Sequence, residues 1–580
     1  MISTREEFAQ AIGVKLQTLT YVLYRKGIDS YYHSFTIPKR NGGVREIDAP
    51  TGALKYIQKR ISIYLWNIQL ESWKNKGIFP NISHAFQRKK SIITNASVHK
   101  HKKYVANFDL EDYFSSIHFG RVKGFFEKNH DFMVSPDVAT VIAQLTCYKG
   151  KLPQGAPSSP VITNLIGGIM DAKLLKLAKK YKMDYTRYAD DLTFSSNAKD
   201  ILKNEELFKL ELEYIVKESG FRINPDKTRV MYKDSRQSVT GLVVNKKISI
   251  KREYYKQTRA MAYSLYRTGE FSIDGQKANM NRLEGRFAFI NQIDKWNNKL
   301  AKGKNIELSS RERQYRNYLI YKYFFSPLKP TIIVEGKTDV LYIKSALQNL
   351  CNNYPRLITE YDGRYTYHIS FLKKTKRLKY FLEINEGGDT FKNIVMLYKD
   401  KKDDADYYNM PIKWMKAIGG RKPDMPVIMI LDNETSFNSP LKKLLNVVCG
   451  GGFKDYSKDD SKRILAELNS KGYKCIIDNL YIVTIPKETS NGDSEIEDLF
   501  NKNELKRISI GGKQYTERFE KDDTYDNDRH FSKDAFSKHV YRYRTQIDFN
   551  GFIPLLDILD KIISEYNGES VAKLDSSILN

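Results

Sequence analysis

Two adjacent carboxylates, Asp190 and Asp191, lie inside an aromatic segment, residues 185–194. Tyr and Phe favour β-strands and the acidic pair interrupts them, so the segment predicts a β-hairpin with both carboxylates at its turn. Neighbouring anions repel each other by roughly 1 kcal/mol or more even near water, and a divalent cation relieves that repulsion. A solvated Asp-Asp turn is the commoner explanation of the dipeptide alone, so a metal site has to be supported by the rest of the chain.

A third carboxylate, Asp109, ends an apolar stretch that begins at residue 105 and predicts a strand. Further along, residues 152–160 form a loop rich in Gly, Pro and Ser, and apolar residues recur after it at helical spacing. These apolar positions are Leu165, Met170, Leu174 and Leu177. Carboxylates at a strand end and at a turn supply the oxygen ligands that Mg²⁺ prefers, so we expect them to lie together.

The first half of the chain resembles the reverse transcriptases in three motifs that occur in the family's order. They are the strand-end Asp109, the QGAPSSP sequence that begins at Gln154, and the YADD sequence that ends at Asp191. The resemblance implies an α+β right-hand polymerase with fingers, palm and thumb. It also implies phosphoryl transfer with Mg²⁺, Mn²⁺ being the alternative ion, and deoxynucleoside triphosphates as substrates. Asp109, Asp190 and Asp191 would be the catalytic metal ligands.

The same resemblance assigns four residues to the incoming nucleotide. Residues 37–47 predict a hairpin with an Asn-Gly turn and cations on both arms, of which Arg45 and Lys39 would hold the triphosphate. Phe114 matches the aromatic position that blocks a nucleotide 2′-hydroxyl, and Gln154 matches the family's nucleotide-binding glutamine. A basic surface hairpin and ordinary core packing of Phe114 are the alternatives.

Two short motifs narrow the resemblance to the retron branch. Asn95 and His99 form an Asn-Ala-x-x-His sequence before the strand-end Asp109, and residues 239–241 read Val-Thr-Gly after the palm. Retron enzymes reverse transcribe a dedicated structured RNA, to which their DNA product stays linked. The resemblance therefore implies this template RNA and the RNA-linked DNA as partners.

A basic helix is predicted beyond the second motif. Arg252, Lys256 and Arg259 fall on one helical face. The tyrosines interleaved with them are Tyr254, Tyr255, Tyr263 and Tyr266. This combination suits a thumb that follows a phosphate backbone and stacks on exposed bases, with a solvated basic helix as the alternative.

The charge of the chain is unevenly distributed. The 580 residues include 96 Lys and Arg against 69 Asp and Glu, a net charge of +27. Residues 1–325 hold 56 of the cations and 31 of the anions, whereas the remainder holds 40 and 38. The first half therefore predicts salt-dependent binding to a polyanion, and the second half needs another explanation.

Cysteine spacing and hydropathy indicate the cellular compartment of the protein. The four cysteines, Cys147, Cys351, Cys449 and Cys475, lack the spacing of a zinc site or a disulfide framework. Apolar runs stay well short of the ~20 residues of a membrane span, and the first residues lack the apolar core of a signal peptide. We predict a cytoplasmic protein with no membrane partner, and assembly into a homo-oligomer stays open.

The second half contains two buried-strand patterns that end in acidic residues. Residues 331–334 lead into Glu335, and residues 427–431 lead into Asp432 and Glu434. Helical sequence between them predicts a mainly parallel α/β sheet, whose ligands gather outside the carboxyl ends of its strands. Glu335 and Asp432 are therefore expected to meet around one metal ion.

Glu-Gly after one strand and Asp-x-acid after another resemble the TOPRIM fold of primases, topoisomerases and OLD-family nucleases. Glu434 stands where the second Asp of that motif is usual. The resemblance implies a metal-dependent nuclease acting on DNA or RNA, transfer RNA included, with Glu335, Asp432 and Glu434 as catalytic ligands and Glu497 as a supplementary one. Retrons fused to a TOPRIM effector act in antiphage defence, which is the role this combination implies.

The motifs predict three domains: fingers and palm in residues 1–240, a thumb and RNA-binding region in residues 241–325, and the TOPRIM domain with its extensions in residues 326–580. Two other functions fit parts of the sequence. One is a ribonucleoprotein scaffold whose TOPRIM is an inactive binding module, which the Glu434 departure keeps open. The other is an intron maturase or another mobile-element polymerase, although residues 239–241 and the second half fit it poorly.

Overall fold

The computed structural model of the chain describes residues 2–39, 42–77, 81–298, 308–385, 387–400, 410–434, 436, 439–487, 493–516 and 526–575. Contacts divide the chain into two compact units. The first unit is Met1–Tyr255 with Gln292–Gly303, and the second is Lys256–Asn291 with Lys304–Asn580. This division differs from the domains predicted from sequence, because most of the predicted thumb belongs to the second unit.

The secondary structure of the first unit is mixed. Its helices are α1 (Arg5–Ala11), α2 (Leu16–Thr20), α3 (Gly52–Asn75), α4 (Ile92–Val98), α5 (Phe119–Lys128), α6 (Pro136–Thr146), α7 (Ser159–Lys180) and α8 (Glu205–Glu218). Its strands are β1 (Tyr32–Pro38), β2 (Val44–Pro50), β3 (Tyr104–Leu110), β4 (Asp184–Tyr188), β5 (Asp191–Ser196), β6 (Ile223–Tyr232), β7 (Ser238–Val239) and β8 (Leu242–Val243). The division between the units falls within the next two helices, α9 (Arg252–Thr268) and α10 (Met280–Asn298).

Four antiparallel strands form the central sheet of the first unit, in the order β4-β5-β3-β6. The sheet is held by aromatic packing: the ring of Phe194 on β5 meets Phe108 of β3 and Phe208 of α8 edge to face. Tyr185 on β4 stacks on Phe194 with ring centroids 4.6 Å apart. The aromatic residues that predicted the hairpin therefore anchor it to the core.

Helix α7 follows the predicted Gly/Pro/Ser loop, and the prediction of a helix there is confirmed. Pro160 lies in its first turn, where the missing N–H leaves no helical hydrogen bond unmade. The four apolar positions predicted for this helix, Leu165, Met170, Leu174 and Leu177, are all buried.

The hairpin predicted over residues 37–47 is formed by β1 and β2, with Ile37 opposite Arg45. At its turn the Lys39 N–H donates to the Gly43 carbonyl over 2.9 Å. Gly43 has a φ of +77°, a conformation that glycine adopts without strain. Asn41, the predicted turn residue, lies outside the described residues.

The second unit alternates helices and strands. After β9 (Ser272–Ile273) and β10 (Gln276–Lys277) come α11 (Ser310–Ile320), β11 (Thr331–Ile333), α12 (Lys337–Asn349), β12 (Ile358–Tyr361), β13 (Arg364–Tyr367), β14 (Ser370–Phe371), α13 (Lys376–Leu382), α14 (Asp389–Met396), α15 (Pro411–Gly419), β15 (Val427–Leu431), α16 (Pro440–Val447), α17 (Asp460–Lys471), β16 (Tyr473–Ile477), β17 (Leu480–Thr484), α18 (Lys502–Leu505), β18 (Ser509–Ile510), β19 (Lys513–Gln514), α19 (Lys533–Arg542) and α20 (Ile553–Asp575).

A five-stranded sheet in the order β14-β11-β15-β17-β16 lies at the centre of the second unit. Its first four strands pair in parallel, and β16 is an antiparallel edge. Both faces are covered, since Val427 and Met429 of β15 pack into one core while Ile428 and Ile430 pack into another. The sheet is thus mainly parallel, and its assignment to the TOPRIM fold stays a prediction.

Helices predicted as thumb share a core with this sheet. Phe287 of α10 and Tyr315 of α11 belong to the same apolar cluster as Met429. The rings of Phe287 and Tyr315 stack with centroids 5.4 Å apart, and Tyr315 contacts Phe381 of α13 at 4.9 Å. The segment preceding residue 326 is therefore a structural part of the second unit.

One predicted stacking residue belongs to this core instead. Tyr266 is fully buried, with its ring 5.3 Å from Tyr321 and 5.6 Å from Trp414, so it is not available to stack on a base. The prediction was wrong because this end of α9 packs into the core of the second unit, although Tyr266 shares the helical face of Arg259. Tyr263 is 50 % exposed and remains a candidate for stacking.

Within the described parts of the chain, no helix combines the length and the apolar character needed to cross a membrane.

The shared core makes a prediction about stability. Phe287→Ala should lower the free energy of unfolding of the second unit by about 3–5 kcal/mol, because it removes a fully buried ring from a packed cluster. Leu328→Ala is the control, since that side chain is 79 % exposed. Urea denaturation of both variants measures the effect, and equal stability would place Phe287 outside the core.

Candidate functional site

The hydrogen-bond register between β3 and β5 brings the predicted carboxylates together. Asp109 lies directly opposite Asp191. Asp190 occupies the turn between β4 and β5, and its carbonyl accepts a hydrogen bond from the Leu110 N–H over 3.0 Å. Ala189, which precedes it, has a φ of +57°, an uncommon conformation for a residue with a Cβ. The backbone conformation of the turn is therefore fixed at the point where it presents Asp190.

A cleft of about 880 Å³ opens beside this turn. It is lined by most of the residues assigned to the polymerase from sequence, namely Lys39, Arg45, Asp109, Phe114, Gln154 and Asp190. Asp191 is not among the lining residues, although its charge acts on the same group of carboxylates. The structure thus collects residues from the two arms of the hairpin, the strand end, the loop and the turn into one concave site.

The loop before α7 is joined to the hairpin by its backbone. The Asp48 N–H donates to the Gln154 carbonyl over 2.8 Å. A Cβ on Gly155 would lie 2.9 Å from both the Asp48 carbonyl and the Ile47 side chain, and its φ is +121°. Only glycine satisfies this approach, so Gly155 allows Gln154 to lie beside β2.

Electrostatics in the cleft oppose full ionisation of the carboxylates. Burial raises the pKa of Asp191 to about 7, with further contributions from Asp190 and Asp109. The pKa of Asp190 is also raised, first by burial and then by Asp109, while Lys227 and Arg45 act in the opposite direction. Carboxylates in this state are stabilised by any cation that comes among them.

Lys227 of β6 supplies one such cation. Its Nζ lies 2.8 Å from Oδ2 of Asp109, and this contact raises the pKa of Lys227. The sequence motifs do not indicate this ion pair. Asp109 is therefore engaged by the protein's own ammonium group.

Phe114 is half-buried and lines the cleft. Its ring centroid is 5.8 Å from that of Tyr113 and 6.3 Å from that of Phe86. This position combines partial packing with a face toward the cleft, as its proposed contact with a sugar requires.

The two short motifs that resemble the retron branch prove to be neighbours. Helix α4, which carries Asn95, packs against both β7 and β8, and the Thr240 hydroxyl donates to the Ile92 carbonyl over 3.3 Å. His99 is fully buried, with its ring nitrogens 2.7 Å from the hydroxyls of Ser195 and Thr186. Burial lowers the pKa of His99 to about 3, so the ring is neutral and structural.

An acidic cluster occupies the carboxyl ends of β11 and β15 in the second unit. Burial raises the pKa of Asp432 well above its usual range, with added repulsion from Asp339, Glu335, Glu495 and Glu497, in that order. Glu335 and Asp432 therefore lie together as predicted from the two strand ends. Glu434 is half-buried, and it is not among the charges that act most strongly on Asp432.

Asp339 is the member of this cluster that the sequence motifs did not single out. Its carboxylate does accept the Gly336 N–H over 2.8 Å at the start of α12. It also lies four residues after Glu335, in the first turn of the helix that follows the strand, and its closeness in sequence to Glu335 was the available signal. Glu497, the supplementary residue, is buried and forms an ion pair with Lys533 at 2.6 Å.

Metal ligation remains a prediction for both sites. Among the described residues, no three or more His, Cys, Asp or Glu side chains are arranged as a ready metal site. In the first unit this is consistent with the Lys227 ammonium group beside Asp109, and in the second with the Lys533 ammonium group beside Glu497. The oxygen donors themselves suit a hard divalent cation.

The comparisons with known proteins identify the family of the first half. Residues 37–258 match the family described as "Reverse transcriptase (RNA-dependent DNA polymerase)". The retron Ec86 reverse transcriptase of Escherichia coli is 30% identical over 303 residues, which cover 51% of this chain and 86% of that protein. The chain belongs to the retron reverse transcriptases. The polymerase fold predicted for its first half is confirmed at this level.

Other retron reverse transcriptases are similarly related. The Mx162 enzyme of Myxococcus xanthus is 33% identical over 326 residues, covering 50% of this chain and 64% of that protein. The Mx65 enzyme of the same species is 31% identical over 308 residues, covering 50% and 68%. The retron chain therefore spans about two thirds of the length of these myxococcal relatives, and about half of it lies outside each alignment.

Two solved structures show more distant similarity. Telomerase from Candida albicans, in complex with a TWJ fragment of telomeric RNA, is 12% identical with a TM-score of 0.30, covering 50% of this chain and 60% of that chain. The foamy viral protease-reverse transcriptase in complex with double-stranded DNA is 15% identical with a TM-score of 0.27, covering 50% and 43%. Nothing about ligands of the retron chain follows from these matches.

The raised pKa of Asp191 predicts how stability depends on pH. Its protonated form stabilises the folded chain at acidic pH, and this contribution is lost as the pH rises through about 7. Asp191→Asn should therefore increase the free energy of unfolding at pH 8, by on the order of 2 kcal/mol, and change it little at pH 4 or below, since the loss begins near the ordinary aspartate pKa of about 4. Denaturation in EDTA measures this, with Asp184→Asn at the start of β4 as control. Identical pH profiles for Asp191→Asn and wild type would contradict the prediction.

Proposed function

We propose that the first unit is an RNA-directed DNA polymerase that copies a dedicated structured RNA into single-stranded DNA that stays linked to RNA. The observation that carries this proposal is the cleft in which Asp109 and Asp190 face the nucleotide-binding candidates. Membership of the retron family supports the choice of reaction and template. It also disfavours an intron maturase or another mobile-element polymerase.

Each side of the cleft has a distinct chemical role in this proposal. Arg45 and Lys39 bind the triphosphate, the guanidinium group by paired hydrogen bonds. Asp109, Asp190 and Asp191 hold Mg²⁺, or Mn²⁺ in its place. The bound ions supply charge stabilisation for the attacking and leaving oxygens of phosphoryl transfer. Phe114 restricts the sugar to deoxyribose by occupying the space of a 2′-hydroxyl.

Lys227 adds a step to metal binding. Its ammonium group contacts Oδ2 of Asp109, so a divalent ion held by the three carboxylates would compete with it for that oxygen. The Lys227 side chain is 60 % exposed, so it is able to turn toward solvent or toward a phosphate. We expect it to exchange its contact with Asp109 for one with the nucleotide.

The exposed cations of α9 are proposed to bind the template RNA. Arg252, Lys256 and Arg259 all face solvent. Their contacts with phosphates would release counterions, which makes binding weaken steeply with salt. The neighbouring motifs of α4 and the β7–β8 hairpin lie in the first unit and offer a second surface for the RNA.

The polymerase assignment predicts the effect of one substitution. Asp190→Asn should reduce DNA synthesis on a primed RNA template by about 10³-fold or more, because losing a metal ligand removes several kcal/mol of charge stabilisation. The amide has nearly the same volume, so the unfolding midpoint should not fall. Asp184→Asn on β4, which neutralises a surface carboxylate paired with Lys102, is the control.

Normal primer extension by the Asp190→Asn variant would show that the site has been assigned to the wrong residues. Loss of extension in both variants would point to a general effect of charge on β4 instead.

For the second unit we propose a metal-dependent TOPRIM nuclease that acts on DNA or RNA, transfer RNA included, in antiphage defence. The acidic cluster around Asp432 supports this, since carboxylates that raise one another's proton affinity also attract a divalent ion. Glu335, Asp432 and Asp339 are its central ligands, and Glu434 and Glu497 are supplementary. A scaffold with an inactive TOPRIM is the second candidate, favoured by the ion pair between Glu497 and Lys533.

The nuclease assignment predicts that one substitution removes nuclease activity and leaves polymerase activity intact. Asp432→Asn should abolish metal-dependent cleavage of DNA, messenger RNA or transfer RNA while leaving DNA synthesis unchanged. It should also stabilise the metal-free second unit at neutral pH, because the raised pKa of Asp432 marks an unfavourable charge there. Asp455→Asn, at an exposed position, is the control. Equal cleavage by the Asp432→Asn variant, or no cleavage by wild type with Mg²⁺ or Mn²⁺, would favour the scaffold.

A further inference from the structure

A buried charged network lies beneath the catalytic turn, and the polymerase chemistry proposed above does not use it. Arg187 on β4 is fully buried, and its Nε and Nη2 donate to the two oxygens of Asp171 on α7 over 2.9 and 2.7 Å. The Tyr185 hydroxyl donates to the same carboxylate over 2.8 Å. Asp171 therefore accepts three hydrogen bonds, two from the guanidinium group and one from the phenol.

The third guanidinium nitrogen reaches beyond this pair. Nη1 of Arg187 donates to the Tyr113 hydroxyl over 2.8 Å and to the Ala189 carbonyl over 3.2 Å. Tyr113 immediately precedes Phe114, and Ala189 immediately precedes Asp190. One side chain thus contacts both the turn that presents the metal ligand and the turn that presents the sugar-facing ring.

The network is anchored on the far side as well. Nη1 also contacts Oδ1 of Asn164 at 3.2 Å, and the Tyr113 hydroxyl donates to the Thr163 carbonyl over 3.0 Å. Both residues lie on α7, the helix that follows the Gln154 loop. A Cβ on Gly167 of that helix would come within 2.8 Å of the Tyr113 hydroxyl and 3.0 Å of Nη2 of Arg187. The absence of a side chain at Gly167 therefore lets the Tyr113 hydroxyl and the Arg187 guanidinium group approach α7 closely.

Stability alone does not account for such an arrangement. Replacing a buried ion pair by apolar groups of similar volume is often neutral or stabilising, because the desolvation of two charges offsets their attraction. Arginine offers a planar fork of donors with fixed directions, which lysine does not. The Tyr113 hydroxyl and the Ala189 carbonyl, which receive these donors, belong to the residues that precede Phe114 and Asp190 of the cleft, and that distribution suits positioning.

We infer that Arg187, oriented by Asp171, is a positioning residue that sets the distance between Asp190 and Phe114 through the Ala189 carbonyl and the Tyr113 hydroxyl. The inference rests on the proposed polymerase function, and it names the residues that keep the metal ligand and the sugar-facing ring at a fixed distance. Ala189 adopts its left-handed conformation with the guanidinium group on its carbonyl, so this contact holds an otherwise unfavourable turn. Removing it lets Asp190 move relative to the nucleotide.

The test compares a double variant, Asp171→Leu with Arg187→Met, against a matched surface double, Lys102→Met with Asp184→Asn. The first removes both buried charges at similar volume, and the second removes an exposed ion pair that also involves β4. Measured for each are the unfolding midpoint, kcat and KM for single deoxynucleotide addition, discrimination against ribonucleotides, and Mn²⁺ binding by electron paramagnetic resonance.

The buried double variant should keep its unfolding midpoint but lose about 10²-fold in kcat, with KM changed by less than about threefold, as expected for misplaced reacting groups. Discrimination against ribonucleotides should fall toward that of Phe114→Ala, and Mn²⁺ affinity should fall. The surface double should match wild type in all four. A folded buried double with wild-type kcat and discrimination overturns the inference.

Tyr113→Phe keeps the test decisive if the buried double does not fold. It removes one hydroxyl and leaves the Asp171 pair intact, so a drop in kcat and discrimination at an unchanged unfolding midpoint supports positioning, and unchanged values overturn it. Arg187→Lys should lose kcat as the buried double variant does, although it keeps the positive charge, since one ammonium group does not reach both turns. Absence of DNA synthesis by wild type itself would refute the polymerase proposal, while Mn²⁺ affinity would still report whether the network orders the carboxylates.

Discussion

The backbone hydrogen bonds between β3 and β5 place Asp109 opposite Asp191, and the geometry of the first unit depends on that register. Side chains alternate faces along a strand, so a slip of one residue would turn the Asp109 carboxylate away from the cleft and Phe108 out of the core. Aromatic packing of Phe108, Phe194 and Phe208 resists such a slip. The apolar core therefore determines where the charged groups can be.

Both units place anions at the ends of buried strands and then neutralise them incompletely. In the first unit Lys227 contacts Asp109 but leaves Asp190 and Asp191 with raised pKa values. In the second, Lys533 contacts Glu497 while Asp432 keeps a strongly raised pKa. Each cluster holds unfavourable charge in the folded chain, which a divalent ion or protons would relieve.

The sequence was sufficient for residues whose chemistry and local pattern coincide. Asp109, Asp190, Gln154 and Arg45 line one cleft, as the resemblance to the reverse transcriptases implied, and the strand end, turn, loop and hairpin that carry them each have a local signature. The parallel sheet of the second unit was likewise predicted from its two apolar runs. Each of these features has its own signature in a short stretch of the chain.

What the sequence did not reveal depends on contacts between distant segments. Nothing near Asp171 in sequence indicates its pairing with Arg187. Asp339 belongs to no motif that the sequence offers, and its local role as a helix cap does not indicate the acidic cluster. Tyr266 has the same residue type and spacing as tyrosines that do face solvent, and only its neighbours in the fold distinguish it.

The core that α10 and α11 share with the sheet of the second unit limits how this chain could be assembled from parts. A cut near residue 326 would leave Phe287 and Tyr315 without Phe381 and Met429, exposing an apolar surface of the kind that causes aggregation. The second unit therefore does not begin at β11, the first strand of its central sheet, and cannot be exchanged as a domain cut at that point. Any recombination that transfers it intact has to carry the preceding helices along, and any shorter polymerase has to cover those side chains in another way.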